Sequence, residues 1–221
     1  MALLEAARER PGNDRTRVLF LPGWGFSGQV LELLPGVGHW LAPQALLDPA
    51  TALADIRGLF SGRIGGPVHL VGWSMGGNLA LDFASAFPGQ VASLTLVGVR
   101  TSWPALEIRA IRQGLLADPV AFLQDFYRKC FLGYRAAQQR FAAELQAELL
   151  ARLDLPLLER GLDYLAQWRL PAALPGCPVS CWHGRRDVIA PLSEQLCIPQ
   201  ARQRVLEHGG HALFLDREFA A

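Results

Sequence analysis

Short apolar runs alternate with helix-length stretches along residues 17–99 of the chain. Four of these runs predict buried strands, at residues 18–21, 45–47, 68–71 and 91–99. Between them, the sequence predicts helices over residues 51–60 and 75–87. Strands that alternate with helices in this way are typical of a parallel sheet covered by helices. We therefore predict an α/β fold with a doubly wound, mostly parallel sheet.

The pattern changes over residues 101–171, where apolar residues such as Phe122 and Phe126 recur at helical spacing. About four helical segments are predicted there. The strand pattern then returns in two further runs, at residues 178–182 and 204–206. We predict a single domain with about six strands, in which residues 1–100 and 172–221 form the core and residues 101–171 a helical cap.

Length, composition and charge favour one soluble domain. The chain has 221 residues, of which 51% are hydrophobic, enough to bury one large core. Its 21 basic and 20 acidic side chains give a formal charge of +1, so no global field favours nucleic acid or an anionic membrane. No apolar run approaches the ~20 residues of a membrane span, and residues 1–10 do not have the pattern of a signal peptide. We expect a cytoplasmic protein with neither a nucleic-acid nor a membrane partner.

The cysteines do not indicate a metal site or a disulfide framework. They are Cys130, Cys177, Cys181 and Cys197. No two of them form a C-x-x-C pair, and no histidine follows at zinc-finger spacing. We expect reduced thiols, most of them packing residues.

A candidate nucleophile stands where a strand meets a helix, in the run Gly72-Trp73-Ser74-Met75-Gly76. A serine on so sharp a turn has strained backbone geometry, and its neighbours two residues away must be small for the chain to pass. The turn exposes the hydroxyl and brings the Met75 N–H to the helix N-terminus, where it would stabilise an oxyanion. The alternative is a Gly-rich loop that only packs a helix on a strand.

A serine hydroxyl needs a base, and in this context the chain order is serine, acid, histidine. The chain has five histidines: His39, His69, His183, His208 and His211. The first two precede the serine, and His183 lies inside a predicted strand, where packing is the more common role. We favour His211 over His208, because a loop with two glycines carries it just past the last strand.

The candidate acid is Asp187, which follows the strand at residues 178–182 through a short loop. Active sites of parallel sheets collect at the carboxyl ends of the strands. An ordinary turn aspartate is the alternative interpretation. Asp154 and Asp163 lie in the helical segment and are poorly placed for this role.

A second oxyanion donor is expected from the loop after the first strand, Pro22-Gly23-Trp24-Gly25. The Trp24 N–H is the candidate, since the glycines on either side let the backbone approach a ligand closely. The Trp24 indole would also wall an acyl pocket. Core packing is the alternative for Trp24 and, more strongly, for Trp73.

In combination these motifs resemble the α/β-hydrolase fold over nearly the whole chain. More narrowly, the Gly23-Trp24-Gly25 loop with the Gly72-Trp73-Ser74-Met75-Gly76 turn is similar to the pimeloyl-[acyl-carrier protein] methyl ester esterases of biotin synthesis. The resemblance implies a serine carboxylesterase with no metal or organic cofactor, in which Ser74, Asp187 and His211 form the catalytic triad. It also implies an oxyanion hole of Trp24 and Met75.

The resemblance extends to the cap and to a partner. It implies substrate contacts from Trp24 and from five cap residues, Phe126, Tyr127, Arg128, Lys129 and Cys130. It implies an acidic acyl-carrier protein as partner, and residues 107–140 have a local basic excess from Arg109, Arg112, Arg128, Lys129, Arg135 and Arg140. A solvated helical face is the alternative for this excess. We expect a monomer.

The chain departs from the full hydrolase pattern at both ends. Only 17 residues precede Val18 and ten follow His211, so the first antiparallel strands are expected to be missing and the final helix shortened. Two other function classes stay open. One is a broad carboxylesterase or thioesterase on small acyl substrates, and the other is a non-catalytic binding protein with a hydrolase fold.

Overall fold

Six parallel strands form one sheet in the computed structural model, which describes residues 17–34, 40–60 and 66–219. The strands are β1 (Val18–Leu21), β2 (Trp40–Leu41), β3 (Val68–Trp73), β4 (Val91–Val97), β5 (Val179–Gly184) and β6 (Arg202–Leu206). Their order is β2-β1-β3-β4-β5-β6, and every neighbouring pair is parallel. From β1 the chain builds first one edge of the sheet and then the other, which confirms the predicted doubly wound α/β fold.

The strand register brings the carboxyl ends of the strands together. The paired residues at these ends are Leu21 with Gly72, Trp73 with Val97, Val97 with Trp182, and Gly184 with Leu206. The loops that follow β1, β3, β4, β5 and β6 therefore leave the sheet at one edge. All predicted site residues outside the helical segment lie in or beside these loops.

The strand prediction for residues 45–47 is wrong. The second strand lies earlier, at Trp40–Leu41, where it pairs with the start of β1. The chain then turns, with the Pro43 carbonyl accepting a hydrogen bond from the Gly28 N–H at 2.7 Å. Leu47 is buried in the core from a loop rather than from a strand. The apolar residue at position 47 is therefore explained by burial of its side chain and does not indicate a strand.

Helices connect the strands. Two precede β4, α1 (Ala52–Leu59) and α2 (Met75–Ala86). Between β4 and β5 lie α3 (Ala105–Ala117), α4 (Pro119–Cys130), α5 (Arg135–Glu144), α6 (Gln146–Ala151) and α7 (Leu155–Gln167), which we call the helical insertion. The prediction gave about four segments here, whereas the structure has five, because the buried Leu145 leaves helical geometry between α5 and α6.

Helices α4 and α7 begin at aspartate caps. Asp118 accepts a hydrogen bond from the Ala121 N–H and is followed by a proline at the first position of α4. Asp154 accepts one from the Leu157 N–H at the start of α7. A side-chain acceptor satisfies an N–H that the helix leaves free, and proline needs no partner there. These signals fix where α4 and α7 start.

An aromatic cluster joins the helical insertion to the sheet. Phe26, in the loop after β1, lies 4.7 Å from the Trp73 ring and 4.9 Å from the Tyr127 ring, measured between centroids. Phe131 and Phe141 extend the cluster into α5. Such ring pairs add to the free energy of burying large apolar surfaces. The insertion thus packs on the sheet through a continuous apolar contact, while its predicted division from the core as a cap stays a prediction.

Some expectations fall outside the described residues. They concern residues 1–10, the strands expected to precede β1, and His39. After His211 the described chain contains one short 3-10 turn, Leu213–Leu215. Within the described ranges, no helix combines the length and apolarity that crossing a membrane requires.

Helix α2 approaches the neighbouring strand so closely that one position admits only glycine. A Cβ added at Gly76 would lie 2.1 Å from the Leu21 carbonyl oxygen and 2.5 Å from that of Pro22. Both atoms belong to the backbone, so neither moves without shifting β1 or the loop after it. By contrast, a Cβ added at Gly58 in α1 would meet nothing within 4 Å.

These two glycines give a matched test of the packing. We expect Gly76→Ala to lower the free energy of unfolding by about 3 kcal/mol, at the upper end of overpacking costs. We expect Gly58→Ala to raise it by about 0.5 kcal/mol, since alanine is the better helix former. Urea unfolding followed by circular dichroism measures both. Equal effects from the two variants would contradict the close approach of α2 to β1.

Candidate active site

Ser74 stands at the sharp turn between β3 and α2. Its backbone has φ 55° and ψ −125°, a conformation that residues other than glycine rarely adopt. Its N–H donates to the Val97 carbonyl at 2.8 Å, and its carbonyl accepts from the Gly77 N–H at 2.8 Å. These bonds hold the strained residue between two strands and the first turn of the helix. The predicted strand, serine and helix context is therefore present.

His211 and Asp187 form a buried pair. The imidazole Nδ1 lies 2.8 Å from Asp187 Oδ2, and His211 is 1% exposed. The other carboxylate oxygen, Oδ1, accepts from the backbone N–H of Ile189 at 2.8 Å and of Ala190 at 2.7 Å. Because a carboxylate only accepts, Nδ1 carries the proton and Nε2 is left as the basic nitrogen. The pair has the arrangement of a general base held by an acid.

Gly98 places this pair beside the segment that binds the Ser74 backbone. Gly98 follows Val97, the acceptor for the Ser74 N–H, and adopts φ +60°. A Cβ added at Gly98 would lie 3.2 Å from His211 Nδ1 and 3.3 Å from Asp187 Oδ2, so a side chain here would be crowded by the pair and strained by the positive φ. Gly98 is not among the predicted site residues. It lies inside the strand predicted at residues 91–99, whereas β4 ends one residue before it, at Val97.

The Trp73 indole ties the base to the serine turn. Its Nε1 donates to the His211 carbonyl at 2.9 Å, and Trp73 itself is fully buried. Within the described residues the Ser74 hydroxyl makes no side-chain hydrogen bond. Catalytic hydrogen bonds are often long before a substrate binds. The structure thus brings Ser74, Asp187 and His211 to the same end of the sheet.

Two backbone N–H groups beside Ser74 are available as donors. Met75 is the first residue of α2, and Trp24 lies in the loop after β1. Neither N–H has a hydrogen-bond partner among the residues that the structure describes. Gly23 places this loop against the serine, since a Cβ added there would lie 3.2 Å from Ser74 Cβ. Two free N–H groups near a nucleophile are what an oxyanion hole requires.

Helix α7 holds the Trp24 side chain. The indole Nε1 donates to the Leu158 carbonyl at 2.9 Å. A Cβ added at Gly161, one turn further along α7, would lie 2.6 Å from Trp24 Cδ1 and 3.4 Å from Met75 Sδ. Trp24 is 5% exposed, so its indole packs as the core-packing interpretation expects. Its role as a wall of an acyl pocket stays a prediction.

The predicted substrate residues of α4 fall into two groups. Phe126 packs edge-on against the Trp24 ring at 5.1 Å, and the buried Tyr127 hydroxyl donates to the Gly25 carbonyl at 2.9 Å. Arg128 and Lys129 face solvent on the other side of the helix, where both pair with Asp125. These cations lower the pKa of the Asp125 carboxyl through their hydrogen bonds.

Cys130 ends α4 beside the His211–Asp187 pair. It is completely buried, and burial raises the pKa of its thiol, so the thiolate is disfavoured. Its carbonyl accepts a hydrogen bond from the Ala212 N–H at 3.1 Å, directly after His211. Cys130 thus anchors the histidine loop through its backbone. A substrate contact by this residue stays a prediction.

The remaining histidines have other surroundings. Burial lowers the pKa of His183, whose Nε2 donates to the Ala190 carbonyl at 3.2 Å, so its surroundings favour a packing role. His69 contacts the Ser93 hydroxyl, and His208 is exposed. The two aspartates that are poorly placed for the orienting acid have structural partners. Asp163 pairs with Arg112, and Asp154 caps α7. Among the described residues, no cluster of His, Cys, Asp or Glu has the makings of a metal site.

An open groove of about 490 Å³ lies between α2 and α7, away from these groups. At its base the Asp82 carboxylate accepts from the Tyr164 hydroxyl at 2.7 Å and the Trp168 indole at 3.0 Å. Burial raises the pKa of the Asp82 carboxyl. The groove contains no nucleophile or base of the candidate site, and its polar contacts join α7 to α2.

Comparisons with known proteins agree with this geometry. Residues 18–221 match the model of the alpha/beta hydrolase family. The pimeloyl-[acyl-carrier protein] methyl ester esterase of Chromobacterium violaceum is 30% identical over 91% of this chain and 89% of its own. The enzyme of that name from Aromatoleum aromaticum is 33% identical over 92% of this chain and 94% of its own. An esterase from Exiguobacterium antarcticum has a similar fold, with a TM-score of 0.74 at 20% identity over 91% of this chain and 87% of its own.

The two late histidines allow a matched test of the base. We expect His211→Ala to lower kcat on a p-nitrophenyl ester by about 10³-fold or more, because the imidazole bound to Asp187 would be lost. His208→Ala is the control, since the exposed His208 touches none of the site groups. Its kcat should stay within about two-fold of the wild-type value. A larger loss from His208→Ala than from His211→Ala would reverse the assignment.

Proposed function

This chain belongs to the alpha/beta hydrolase family, and from that premise we propose that it hydrolyses the methyl ester of pimeloyl-acyl-carrier protein in biotin synthesis. At the coarser level it is a carboxylic ester hydrolase. The observation that carries the proposal is the His211–Asp187 pair packed against the strained turn at Ser74. Two relatives that carry this activity in their names, at 30% and 33% identity over most of both chains, support the choice of substrate.

In the proposed reaction Ser74 attacks the ester carbonyl carbon. His211 Nε2 removes the hydroxyl proton, because Nδ1 already donates to Asp187. The carbonyl oxygen becomes an oxyanion that accepts hydrogen bonds from the Trp24 and Met75 N–H groups. Collapse of this intermediate breaks the bond to the methoxy oxygen, and His211 returns the proton to form methanol.

Water completes the cycle. It attacks the acyl-enzyme while His211 takes one of its protons, and the same two N–H groups hold the second oxyanion. Collapse of this intermediate breaks the bond to Ser74 Oγ, which takes the proton back from His211. The pimeloyl group is left as a carboxylic acid, which ionises to the carboxylate. Throughout, Asp187 holds the imidazole in one tautomer and balances the charge that His211 gains. No step calls for a metal or an organic cofactor.

The exposed cations of the helical insertion support an acidic carrier as partner. Arg109 and Arg135 are exposed and form no ion pair among the described residues. Arg112 and Arg140 are already paired, with acidic residues of α7 and α5. We propose that the two unpaired cations, Arg135 and Arg109, form the rim on which an acidic carrier docks. Arg128 is its third member, since its side chain stays 52% exposed although it pairs with Asp125.

The substrate proposal is tested by hydrolysis of methyl pimeloyl-acyl-carrier protein beside a short p-nitrophenyl ester. We expect the wild type to prefer the carrier-bound ester, and Ser74→Ala to lose about 10³-fold or more of kcat on both. Ser85→Ala, in the helix that follows Ser74, is the matched control, because its buried hydroxyl has no hydrogen-bond partner within the part of the chain that the structure describes. That variant should keep wild-type turnover.

Each other outcome has a defined meaning. Comparable rates on the two esters would leave a broad carboxylesterase in place of the biotin-pathway enzyme. Turnover of Ser74→Ala above about a tenth of wild type would remove Ser74 as the nucleophile. No turnover on either ester would contradict the proposal and indicate another acyl substrate.

The docking rim is tested by charge reversal. We expect Arg128→Glu with Arg135→Glu to lower kcat/KM on the carrier-bound ester about ten-fold at low salt, and less at high salt, where steering is screened. The small ester should be unaffected. Arg202→Glu is the control, since the exposed Arg202 begins β6 at the opposite end of the sheet. Unchanged activity of the double variant on the carrier-bound ester would exclude this rim.

A further inference from the structure

We propose that Arg100 is a positioning residue for Asp187, acting through a single peptide group in the loop after β5. The inference rests on the proposed triad and extends it by one residue. Arg100 follows β4 and carries a side chain that is only 2% exposed. Among the described residues its side chain makes no hydrogen bond to Ser74 or His211, so its effect would pass through the Asp187 loop.

The guanidinium lies at the junction of three segments. It binds both carboxylate oxygens of Glu107, at 2.7 and 3.2 Å, and also contacts Glu194. Its central carbon lies 4.3 Å from the centre of the Trp103 ring. Its Nη1 donates to the Ile189 carbonyl at 3.3 Å. Of these contacts, the bond to the Ile189 carbonyl lies nearest to Asp187 along the chain.

One peptide group connects the guanidinium to the carboxylate. The Ile189 carbonyl accepts from Arg100, and the N–H of the same peptide, on Ala190, donates to Asp187 Oδ1 at 2.7 Å. A cation at the carbonyl polarises the peptide and strengthens its N–H as a donor to an anion. The chain of contacts therefore runs from Arg100 through this peptide to Asp187 and on to His211.

The loop is also fixed beyond this peptide. The Leu196 N–H donates to the Val99 carbonyl at 2.8 Å, and the Thr101 N–H donates to the Glu194 carbonyl at 3.0 Å. The segment around Arg100 thus pairs with the far end of the Asp187 loop. Two anchors leave the 189–190 peptide little freedom to turn away from the carboxylate.

Burial of this arginine is costly for stability alone. Its two ion-pair partners are 45% and 39% exposed, so the same ion pairs would form at the surface without burying the cation. Its Nε is buried and has no hydrogen-bond partner among the described residues. What the buried position adds is the bond to the Ile189 carbonyl, which favours a role in positioning Asp187.

The test is a double-mutant cycle on kcat with a short p-nitrophenyl ester. We expect Arg100→Met to lower kcat about ten-fold with KM within about two-fold, since the acid would be misplaced without loss of substrate contacts. In an Asp187→Asn background the same substitution should lower the residual kcat less than about two-fold. A purely structural role would lower kcat by equal factors in both backgrounds, and that result would overturn the inference.

Two further variants complete the design. Arg100→Lys keeps the charge but not the fork of donors, so we expect a smaller loss, of about three-fold. If Arg100→Met fails to fold by circular dichroism, the Arg100→Lys cycle decides by the same criterion. Arg185→Met is the matched control. Arg185 lies two residues before Asp187 and forms a forked pair with Glu207, but among the described residues it makes no hydrogen bond to the 189–190 peptide.

The cycle separates the inference from the proposed function. If wild-type turnover does not depend on Ser74, or if Asp187→Asn leaves kcat unchanged, the proposed triad fails and the inference fails with it. If Ser74→Ala and Asp187→Asn both lower kcat as proposed, but the Arg100 variants keep a kcat within about two-fold of wild type, only the role of Arg100 is overturned.

Discussion

The strained backbone at Ser74 is the constraint on which the rest of the site depends. A φ of 55° costs an ordinary residue about 1–3 kcal/mol, so surrounding contacts must hold it. The Val97 carbonyl holds the Ser74 N–H, and the absence of a side chain at Gly76 lets α2 start directly against Leu21. The turn that carries the Ser74 hydroxyl, at a residue that is only 9% exposed, is therefore set by strand register and helix packing. It is not set by the serine itself.

The helical insertion contributes to the site by holding the loops of the sheet. Helix α4 binds the loop after β1 through the Tyr127 hydroxyl and the loop after β6 through the Cys130 carbonyl. Helix α7 holds the Trp24 indole and is tied to α2 through Asp82. Both candidate oxyanion donors therefore lie on segments that these helices restrain. A change in the packing of the insertion would therefore alter the geometry of the candidate site.

The parts that the sequence predicts are those with local signals. The apolar runs locate the long strands, and glycines two positions from Ser74 mark the turn before α2. The strand β2 is missed because two residues carry no periodicity. Contacts such as Trp24 to Leu158 and Arg100 to Ile189 join residues far apart in the chain, and nothing local to either residue indicates the other. Such contacts depend on helix packing, which a single sequence does not specify.

Asp187 shows how a local and a distant role combine in one side chain. From the sequence, a turn aspartate and an orienting acid are alternative interpretations of Asp187. The carboxylate has two oxygens, so one side chain fills both roles. Oδ1 accepts the N–H groups of the next residues and builds the turn, while Oδ2 binds the His211 imidazole. The turn itself fixes the direction of Oδ2, since a carboxylate held at one oxygen has little freedom at the other. An aspartate common in turns therefore suits this position, and the contact of Arg100 with the same turn makes that direction depend on the fold beyond the loop.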